Sequence, residues 1–283
     1  MPYDFNFGSK AAKGGFDNEI EVCRKFNNWR KDTVAQAWLA IMGFDLDEID
    51  NIKAVNVPVN ISRYNLHMYH VNANEFENMR YKKADVQLQV RLIISINGTL
   101  RIENISVKKV SGGEGFNQVD KRTVDSYQEM WRFDDEIALA LKVFSGEINP
   151  SQGRNILKVS VDLLKDEGKR RAFFDEIDSY YVDKIIDFFE RNKLLVIADV
   201  LKGRGGLSAG WILVTSYDSR YNTTTWTLKD INTAMNFFGQ GEVRLSPQGS
   251  LNVGKITMQR KGGTPDPTKI QFKIKPSQLL KIC

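Results

Sequence analysis

Residues 84–109 read ADVQLQVRLIISINGTLRIENISVKK, two alternating apolar runs on either side of the dipeptide Asn97-Gly98. Alternation of apolar and polar residues is typical of half-buried strands, and Asn-Gly is the two-residue turn that best fits the twist of a hairpin. The stretch therefore predicts a β-hairpin. Because side chains alternate between the faces of a strand, Ser106 and Lys108 share a face, which we expect to lie beside Asp85 at the start of the first strand.

The predicted proximity of Asp85 and Lys108 suggests a type of catalytic site. The Asp85 carboxylate and the Val107 carbonyl are oxygen donors for a hard cation such as Mg²⁺, and the Lys108 ammonium can orient or polarise a water that attacks a phosphodiester. The pattern thus favours a metal-dependent nuclease. On the residues alone, a solvated acid and a lysine on an exposed strand edge is the more ordinary interpretation. Ser106 also favours this ordinary interpretation, since a hydroxyl is a poorer Mg²⁺ ligand than a carboxylate.

Composition limits the class of protein. The chain has 283 residues, 42% hydrophobic and 27% charged, enough for one generous α/β core or two packed lobes. No apolar run reaches the roughly 18 residues of a membrane span, and MPYDFNFGSK does not resemble a signal peptide, so we expect a soluble cytoplasmic protein without a membrane partner. Cys23 and Cys283 alone support neither a disulfide framework nor a zinc site. The net charge of +5 is compatible with a polyanionic partner.

The chain is expected to be α/β (α+β), with a mixed central sheet flanked by helices and a β-rich second lobe. The predicted domains are residues 1–146, with the N-terminal helices and the hairpin, and residues 147–283, which complete the sheet and carry the second lobe, all in one compact unit. A hairpin or loop is predicted over 60–83, where His67 and His70 receive no role. Periodicity predicts helices over 15–29, 32–43, 116–133, 134–144, 171–191 and 230–238, and strands over 52–59, 194–200, 210–217, 223–228 and in the segments 243–263 and 268–276.

Two polar patterns are compatible with a nucleic-acid partner. In the predicted helix over 116–133, Gln118, Lys121, Arg122 and Asp125 would share one face, although a solvated helix face explains them equally well. Near the C-terminus a two-strand ribbon would have one basic, polar side. Gln and Lys side chains can hydrogen-bond to base edges in a major groove, or can simply keep a sheet soluble. The ribbon residues are Gln259, Lys261, Gln271 and Lys273.

Blocks distributed along nearly the whole chain resemble the HinP-type restriction endonucleases that cut GCGC. These blocks are FGSKAAKGGFDNE, AQAWLAIMGFDLDEI, GFNQVDK, SYQEMWRFDD, LSPQGSLN, ITMQRKGG and IQFKIKP, and they keep their order up to residue 276. The resemblance implies a type II restriction endonuclease with a PD-(D/E)XK core of the MspI-like group, cutting double-stranded DNA with Mg²⁺ to leave 5′-phosphate ends. It also implies a cognate DNA methyltransferase that acts on the same site without binding this protein, and is compatible with a weak or DNA-dependent homodimer.

The same resemblance implies residue roles. Asp85 would be the metal acid, with the Val107 carbonyl as a second ligand, Lys108 would orient the water, and Glu19 would support the site. Ser106 stands where the family has Gln or Glu. The HinP-type enzymes have arginine at the position of Gln248, and arginine and glutamine prefer different base edges. The resemblance therefore implies a GC-containing target, either GCGC or a related sequence such as GCNGC, without deciding between them. The implied DNA-contacting residues are Asn117, Gln118, Lys121, Gln248, Ser250, Asn252, Gln259, Lys261 and Lys273.

Two other functions fit the same residues. A DNA-binding protein whose nuclease site has degenerated would explain Ser106. An enzyme acting on RNA fits the site but leaves the ribbon unexplained, because the deep major groove of RNA excludes such elements.

Overall fold

The structure, a computed structural model, describes residues 18–57, 63–71, 89–111, 115–218, 220–247, 249–260 and 268–282. It contains two five-stranded sheets with helices. Its contacts divide the chain into two compact units, each of which contains segments from both sides of residue 146. The first comprises Met1–Asn117, Leu201–Met235 and Lys275–Cys283, and the second comprises Gln118–Val200 and Asn236–Ile274.

The sheet of the first unit is mixed and has the order β1-β2-β3-β5-β6. The predicted hairpin is confirmed: β2 and β3 are antiparallel, and Ile96 pairs with Thr99 across a two-residue turn. Asn97 and Gly98 have φ of 48° and 74°, the left-handed values that such a turn requires. β3 then runs parallel to β5, which makes it an inner strand. The strand bounds are β1 Ile49–Val57, β2 Gln89–Ile96, β3 Thr99–Ser111, β5 Trp211–Asp218 and β6 Thr223–Asp230.

Two N-terminal helices cover one face of this sheet. α1 comprises residues 18–27, and α2, Thr33–Ile41, begins where the Asp32 carboxylate accepts hydrogen bonds from two backbone N–H groups. Phe26 and Trp38 pack at 5.2 Å between ring centroids and share a core with apolar residues of β1, β2 and β3. The predicted helices over 15–29 and 32–43 are therefore confirmed over the described residues.

The second sheet has the order β4-β10-β9-β8-β7. Its apolar face contains Phe272, against which Tyr127, Trp131 and Phe189 pack with ring centroids 5.4 to 6.4 Å apart. This aromatic cluster joins the sheet to the helices of its unit and leaves the other face of the strands polar. The strand bounds are β4 Asn117–Arg122, β7 Val243–Leu245, β8 Leu251–Val253, β9 Ile256–Arg260 and β10 Ile270–Ile274.

Of the remaining helices, two follow the predictions over 134–144 and 230–238, namely α4 and α7. The bounds are α3 Val124–Trp131, α4 Asp135–Ser145, α5 Ser179–Arg191, α6 Lys193–Leu201 and α7 Ile231–Phe238. Short 3₁₀ helices occupy Trp29–Lys31, Leu46–Glu48, Arg63–Tyr69, Arg154–Ile156, Val161–Leu163, Phe174–Glu176, Gly205–Leu207 and Pro276–Lys281. The predicted hairpin or loop over 60–83 lies largely outside the described residues. Within the described part of the chain, none of the helices has the length and apolar character needed to cross a membrane.

The helix predicted over 116–133 is wrong in its first half. Residues Asn117–Arg122 form strand β4, and the helix starts only after Thr123, whose hydroxyl accepts from the Ser126 N–H. Pairing with β10 overrides the local helical spacing. Gln118 and Lys121 are an odd number of positions apart and so point to opposite faces of a strand, which removes the shared helix face predicted for them.

Two further predictions in the second unit are wrong. Residues 194–200 are not a buried strand but part of helix α6, in which Val196, Ile197 and Val200 are buried while Leu194 is exposed. A short apolar run does not distinguish a strand from a helix by its periodicity, and here the buried positions follow helical spacing. The helix predicted from Arg171 begins instead at Ser179, after the Asp178 carboxylate accepts a hydrogen bond from the Tyr180 N–H.

Two glycines in hairpin turns, Gly98 and Gly254, both have positive φ, but only Gly254 lies close to a neighbouring backbone. A Cβ on Gly98 (φ 74°) would meet nothing within 4 Å, whereas on Gly254 (φ 60°) it would lie 2.6 Å from the Phe238 carbonyl oxygen. Gly98→Ala should therefore lower the free energy of unfolding by about 1 kcal/mol. Gly254→Ala should lower it by roughly 3 kcal/mol or more. Urea unfolding of both variants measures this, and equal losses would contradict the predicted overlap at Gly254.

Candidate active site and DNA-contact surface

Lys108 occupies the middle of the first sheet. It lies on the inner strand β3 and pairs with Val214 of the parallel strand β5. Its side chain is only 5% exposed, and Ser106, two residues earlier on the same strand face, is 2% exposed. A lysine is rarely buried to this extent without a structural or chemical reason. The expectation of a lysine on an exposed strand edge therefore does not hold for Lys108.

The electrostatic surroundings of Lys108 include a buried acid. Loss of hydration lowers the pKa of Lys108 to about 8, and the negative charge of Glu19 opposes that shift. Glu19 lies in α1, is 1% exposed, and its Oε2 accepts a hydrogen bond of 3.1 Å from the Asn56 side chain of β1. Helix α1 thus brings a carboxylate into the electrostatic neighbourhood of the lysine, as the resemblance implied.

The buried Cys23 thiol is also close to this carboxylate. Burial, with a further contribution from Glu19, raises the pKa of Cys23 to about 12. A thiol with this pKa remains protonated near neutral pH and is a poor nucleophile. The Cys23 thiol is therefore not a candidate for nucleophilic attack or proton transfer at this site.

The donors near Lys108 are compatible with a hard cation. The Glu19 carboxylate, the Ser106 hydroxyl and the backbone carbonyl of Val107 all offer oxygen, the ligand atom that Mg²⁺ prefers. Asp85, the predicted metal acid, lies outside the described residues. Among the residues that are described, no three His, Cys, Asp or Glu side chains cluster closely enough to hold a metal ion. A complete ligand set would therefore need groups beyond these.

The polar ribbon predicted near the C-terminus is the antiparallel pair of strands β9 and β10. Gln259 of β9 pairs with Gln271 of β10, and Lys273 of β10 pairs with Thr257 of β9. Thr257 also pairs with Asn252 of β8, and its hydroxyl donates to the Asn252 side-chain oxygen at 3.0 Å. Paired residues share a face, so these five polar side chains form one row, in which Thr257 and Gln271 are buried and the Gln271 amide donates to the Arg260 carbonyl at 3.2 Å. We call this row the polar face.

A tight turn connects β7 to β8 beside the polar face. The Ser246 N–H donates to the Ser250 carbonyl at 2.7 Å, and the Ser250 N–H donates to the Ser246 hydroxyl at 3.1 Å. Gly249 adopts φ 71°, and a Cβ there would lie 2.8 Å from the ring of Phe173. The two hydrogen bonds fix the backbone of Ser250. Gln248 in this turn, and Lys261 after β9, lie outside the described residues.

The other predicted DNA contacts lie on β4. Asn117, Gln118 and Lys121 are all half-buried. Alternation along the strand places Asn117 and Lys121 on one face and Gln118 on the other. The structure therefore does not bring all three together on one surface of β4.

Sequence reasoning missed one member of the polar face. Thr257 stands between Ile256 and Met258, both buried in the apolar core. The alternation that selected Gln259 also applies to Thr257, so the signal was present. Its short hydroxyl is positioned by Asn252, which gives the polar face a bonded pair beside its glutamines.

Comparisons with known proteins bear on this arrangement. A family model described as R.HinP1I restriction endonuclease matches residues 67–280. The crystal structure of restriction endonuclease MspI in complex with its cognate DNA is similar in fold, with a TM-score of 0.56 and 13% sequence identity. That match covers 96% of this chain and 93% of the MspI chain. No curated protein matches the chain in sequence.

The lowered pKa of Lys108 predicts a pH-dependent stability. The folded state binds fewer protons than the unfolded state between about pH 8 and the ordinary value of 10.5, so this group makes the free energy of unfolding rise with pH across that window. The increment should be about 3 kcal/mol. Urea unfolding in EDTA at several pH values, on the parent and on Lys108→Met, measures it. The difference between the two should change with pH as stated, while other ionisations cancel. A difference that stays constant from pH 7 to 10 would contradict the burial of the charge.

Proposed function

Because the chain belongs to the R.HinP1I restriction endonuclease family, and is thus a type II restriction endonuclease that cleaves DNA at a specific site, we propose that Lys108 and its neighbours form a PD-(D/E)XK centre that hydrolyses DNA with Mg²⁺. The single observation that carries this proposal is the burial of the Lys108 side chain within the electrostatic influence of the buried Glu19 carboxylate. Burying a charge costs free energy, and perturbed ionisable groups are concentrated at functional sites.

The proposed roles follow from the chemistry of each group. Asp85 and the Val107 carbonyl would hold Mg²⁺, with Glu19 as a supporting carboxylate. When bound, the ion would supply positive charge against the phosphate and its developing negative charge. Ser106 replaces the usual carboxylate or amide, so its hydroxyl is a weaker direct ligand and Glu19 or a water completes the set.

Lys108 would position the attacking water. Its amine, with a pKa near 8, is able both to donate a hydrogen bond and to accept a proton at Nζ close to neutral pH. The water oxygen would form a new bond to phosphorus as the bond to the 3′ oxygen breaks. The neutral Lys108 amine would accept the proton that the water loses, and a solvent water would donate a proton to the departing 3′ oxygen, which yields a 5′-phosphate and a 3′-hydroxyl.

The polar face would read the DNA sequence. Glutamine and asparagine side chains offer paired donors and acceptors to base edges, and Lys273 suits guanine acceptors or phosphates. The turn with Gln248 and Ser250, together with Lys261 and the β4 residues, would add contacts. The target proposed is a short GC-containing sequence such as GCGC or GCNGC in double-stranded DNA. A weak or DNA-dependent homodimer would explain cleavage of both strands, and a cognate methyltransferase would protect the host sequence in the cytoplasm.

Removal of the buried amine should abolish cleavage. Lys108→Ala should slow plasmid cleavage in Mg²⁺ by about 10²-fold or more, because the water loses its positioning and proton-accepting group. Arg101→Ala, at the exposed opposite end of the same strand, is the matched control and should cut at the parental rate. Single-turnover cleavage rates measure both, with an EDTA arm that should stop cleavage in every sample. Parental activity in Lys108→Ala would overturn the assignment of the site.

Loss of a polar-face side chain should affect recognition more than chemistry. Gln259→Ala should lower discrimination against single-base variants of the target by roughly 1 to 3 kcal/mol per lost base contact. Gln152→Ala, an exposed glutamine in a loop of the same unit, is the control. Sequencing of all cut ends from methylation-free phage DNA measures the preference and returns the recognition word. An unchanged cleavage map in Gln259→Ala would argue against this role.

A further inference from the structure

The first unit contains a cavity that the proposed active site does not use. It has a volume of about 370 Å³, within the range of small-molecule sites. Helices α1 and α2 form one side, and strands β3, β5 and β6 form the other. Lys109, which lines it, follows Lys108 directly in the strand, so alternation points the two lysines to opposite faces of the sheet. The cavity is therefore separate from the face that carries Lys108.

Two hydrogen-bond donors of the cavity wall are unsatisfied within the part of the chain that the structure describes. The indole Nε1 of Trp38 is buried and has no acceptor, and the whole residue is 2% exposed. The half-buried Lys109 ammonium forms neither a hydrogen bond nor an ion pair with these residues. The indole N–H is closed off from solvent and therefore from the cavity, whereas the half-buried ammonium is open to an anion.

The other charges of the wall are already paired. Lys25 binds the Asp32 carboxylate at 3.1 Å, and Glu21 receives two hydrogen bonds from the Arg24 guanidinium, at 3.1 and 2.9 Å. The Thr215 hydroxyl donates to the Asn18 side-chain oxygen at 3.0 Å. Lys109 therefore carries the positive charge in the wall that is not neutralised by a described neighbour. An anion would supply its partner.

Aromatic rings complete the wall. Trp38 and Trp226 pack edge to face with ring centroids 5.8 Å apart, and Tyr217 lines the same cavity from the neighbouring strand. Ring faces of Trp and Tyr suit stacking of a flat heteroaromatic group, as they do in complexes with single-stranded nucleic acids. A cation and aromatic surface together match a planar base that carries a phosphate.

From these contacts we propose that this cavity binds a nucleotide 5′-phosphate. Lys109 pairs with the phosphate, and Trp226 and Tyr217 contact the base. The nucleotide comes either from free deoxynucleoside monophosphates or from a 5′-phosphorylated DNA end. The site does not depend on which residues cut DNA, because its ligand is bound and not transformed.

Calorimetric titration of the full chain in EDTA tests the proposal without cleavage. The probes are the four deoxynucleoside 5′-monophosphates, the corresponding nucleosides, and a duplex lacking GC-containing words with either 5′-phosphate or 5′-hydroxyl ends. Saturable 1:1 binding of a monophosphate is expected, with the nucleoside bound more weakly. Lys109→Met should weaken the monophosphate by about tenfold, the loss of one charge-assisted contact, and leave the nucleoside unchanged.

A matched variant separates this effect from general changes of charge or fold. Lys53→Met removes an exposed lysine of β1 in the same unit and should bind as the parent does. Thermal melts establish that each variant is folded. Lys109-dependent binding of the phosphorylated duplex alone would identify a DNA end as the source, and binding of the monophosphate would identify the free nucleotide. The proposal would be overturned if neither the monophosphate nor the phosphorylated duplex bound, or if their binding were unaffected by Lys109→Met.

Discussion

The burial of one ammonium group inside a sheet is the constraint on which the first unit depends. An ion removed from water costs several kcal/mol even after relaxation, and the cost is tolerated only where opposite charge or function offsets it. Here the Asn97-Gly98 turn folds β2 onto β3, β5 closes the other side of β3, and α1 brings the Glu19 carboxylate near. Burial of the side chain in this sheet lowers the pKa of Lys108 to about 8, and the negative charge of Glu19 opposes that shift.

The elements closest to this group could be predicted from the sequence because their signals are local. Asn-Gly between alternating runs specifies a hairpin with its register, and Gly43 with φ 83° follows the predicted end of α2. The wrong predictions lie where contacts with distant segments of the chain determine the secondary structure. Residues 117–122 form a strand because they pair with β10. Residues 194–200 form part of a helix, although their continuous apolar run is equally typical of a buried strand. Local patterns contain no information about such distant partners.

The candidate site also combines features that local sequence patterns predict with features that they do not. Alternation identified Ser106 and Lys108 as neighbours and placed Gln259 beside Gln271, and both follow from short-range geometry. The resemblance suggested Glu19, which no spacing connects to a residue nearly ninety positions later. Neither pattern nor resemblance indicated how deeply the lysine is buried, nor that its neighbour Lys109 faces a separate cavity. Burial is a property of the assembled sheet, so it appears only in three dimensions.

The order of segments along the chain has a consequence for biosynthesis. β3 is complete by Ser111, yet its parallel partner β5 begins only at Trp211, and the same unit also includes the last residues, 275–283. A nascent polypeptide on the ribosome therefore cannot enclose its lysine in this sheet until the residues of β5 have been synthesised. Fragments that end before β5 lack the buried amine on which the proposed cleavage depends.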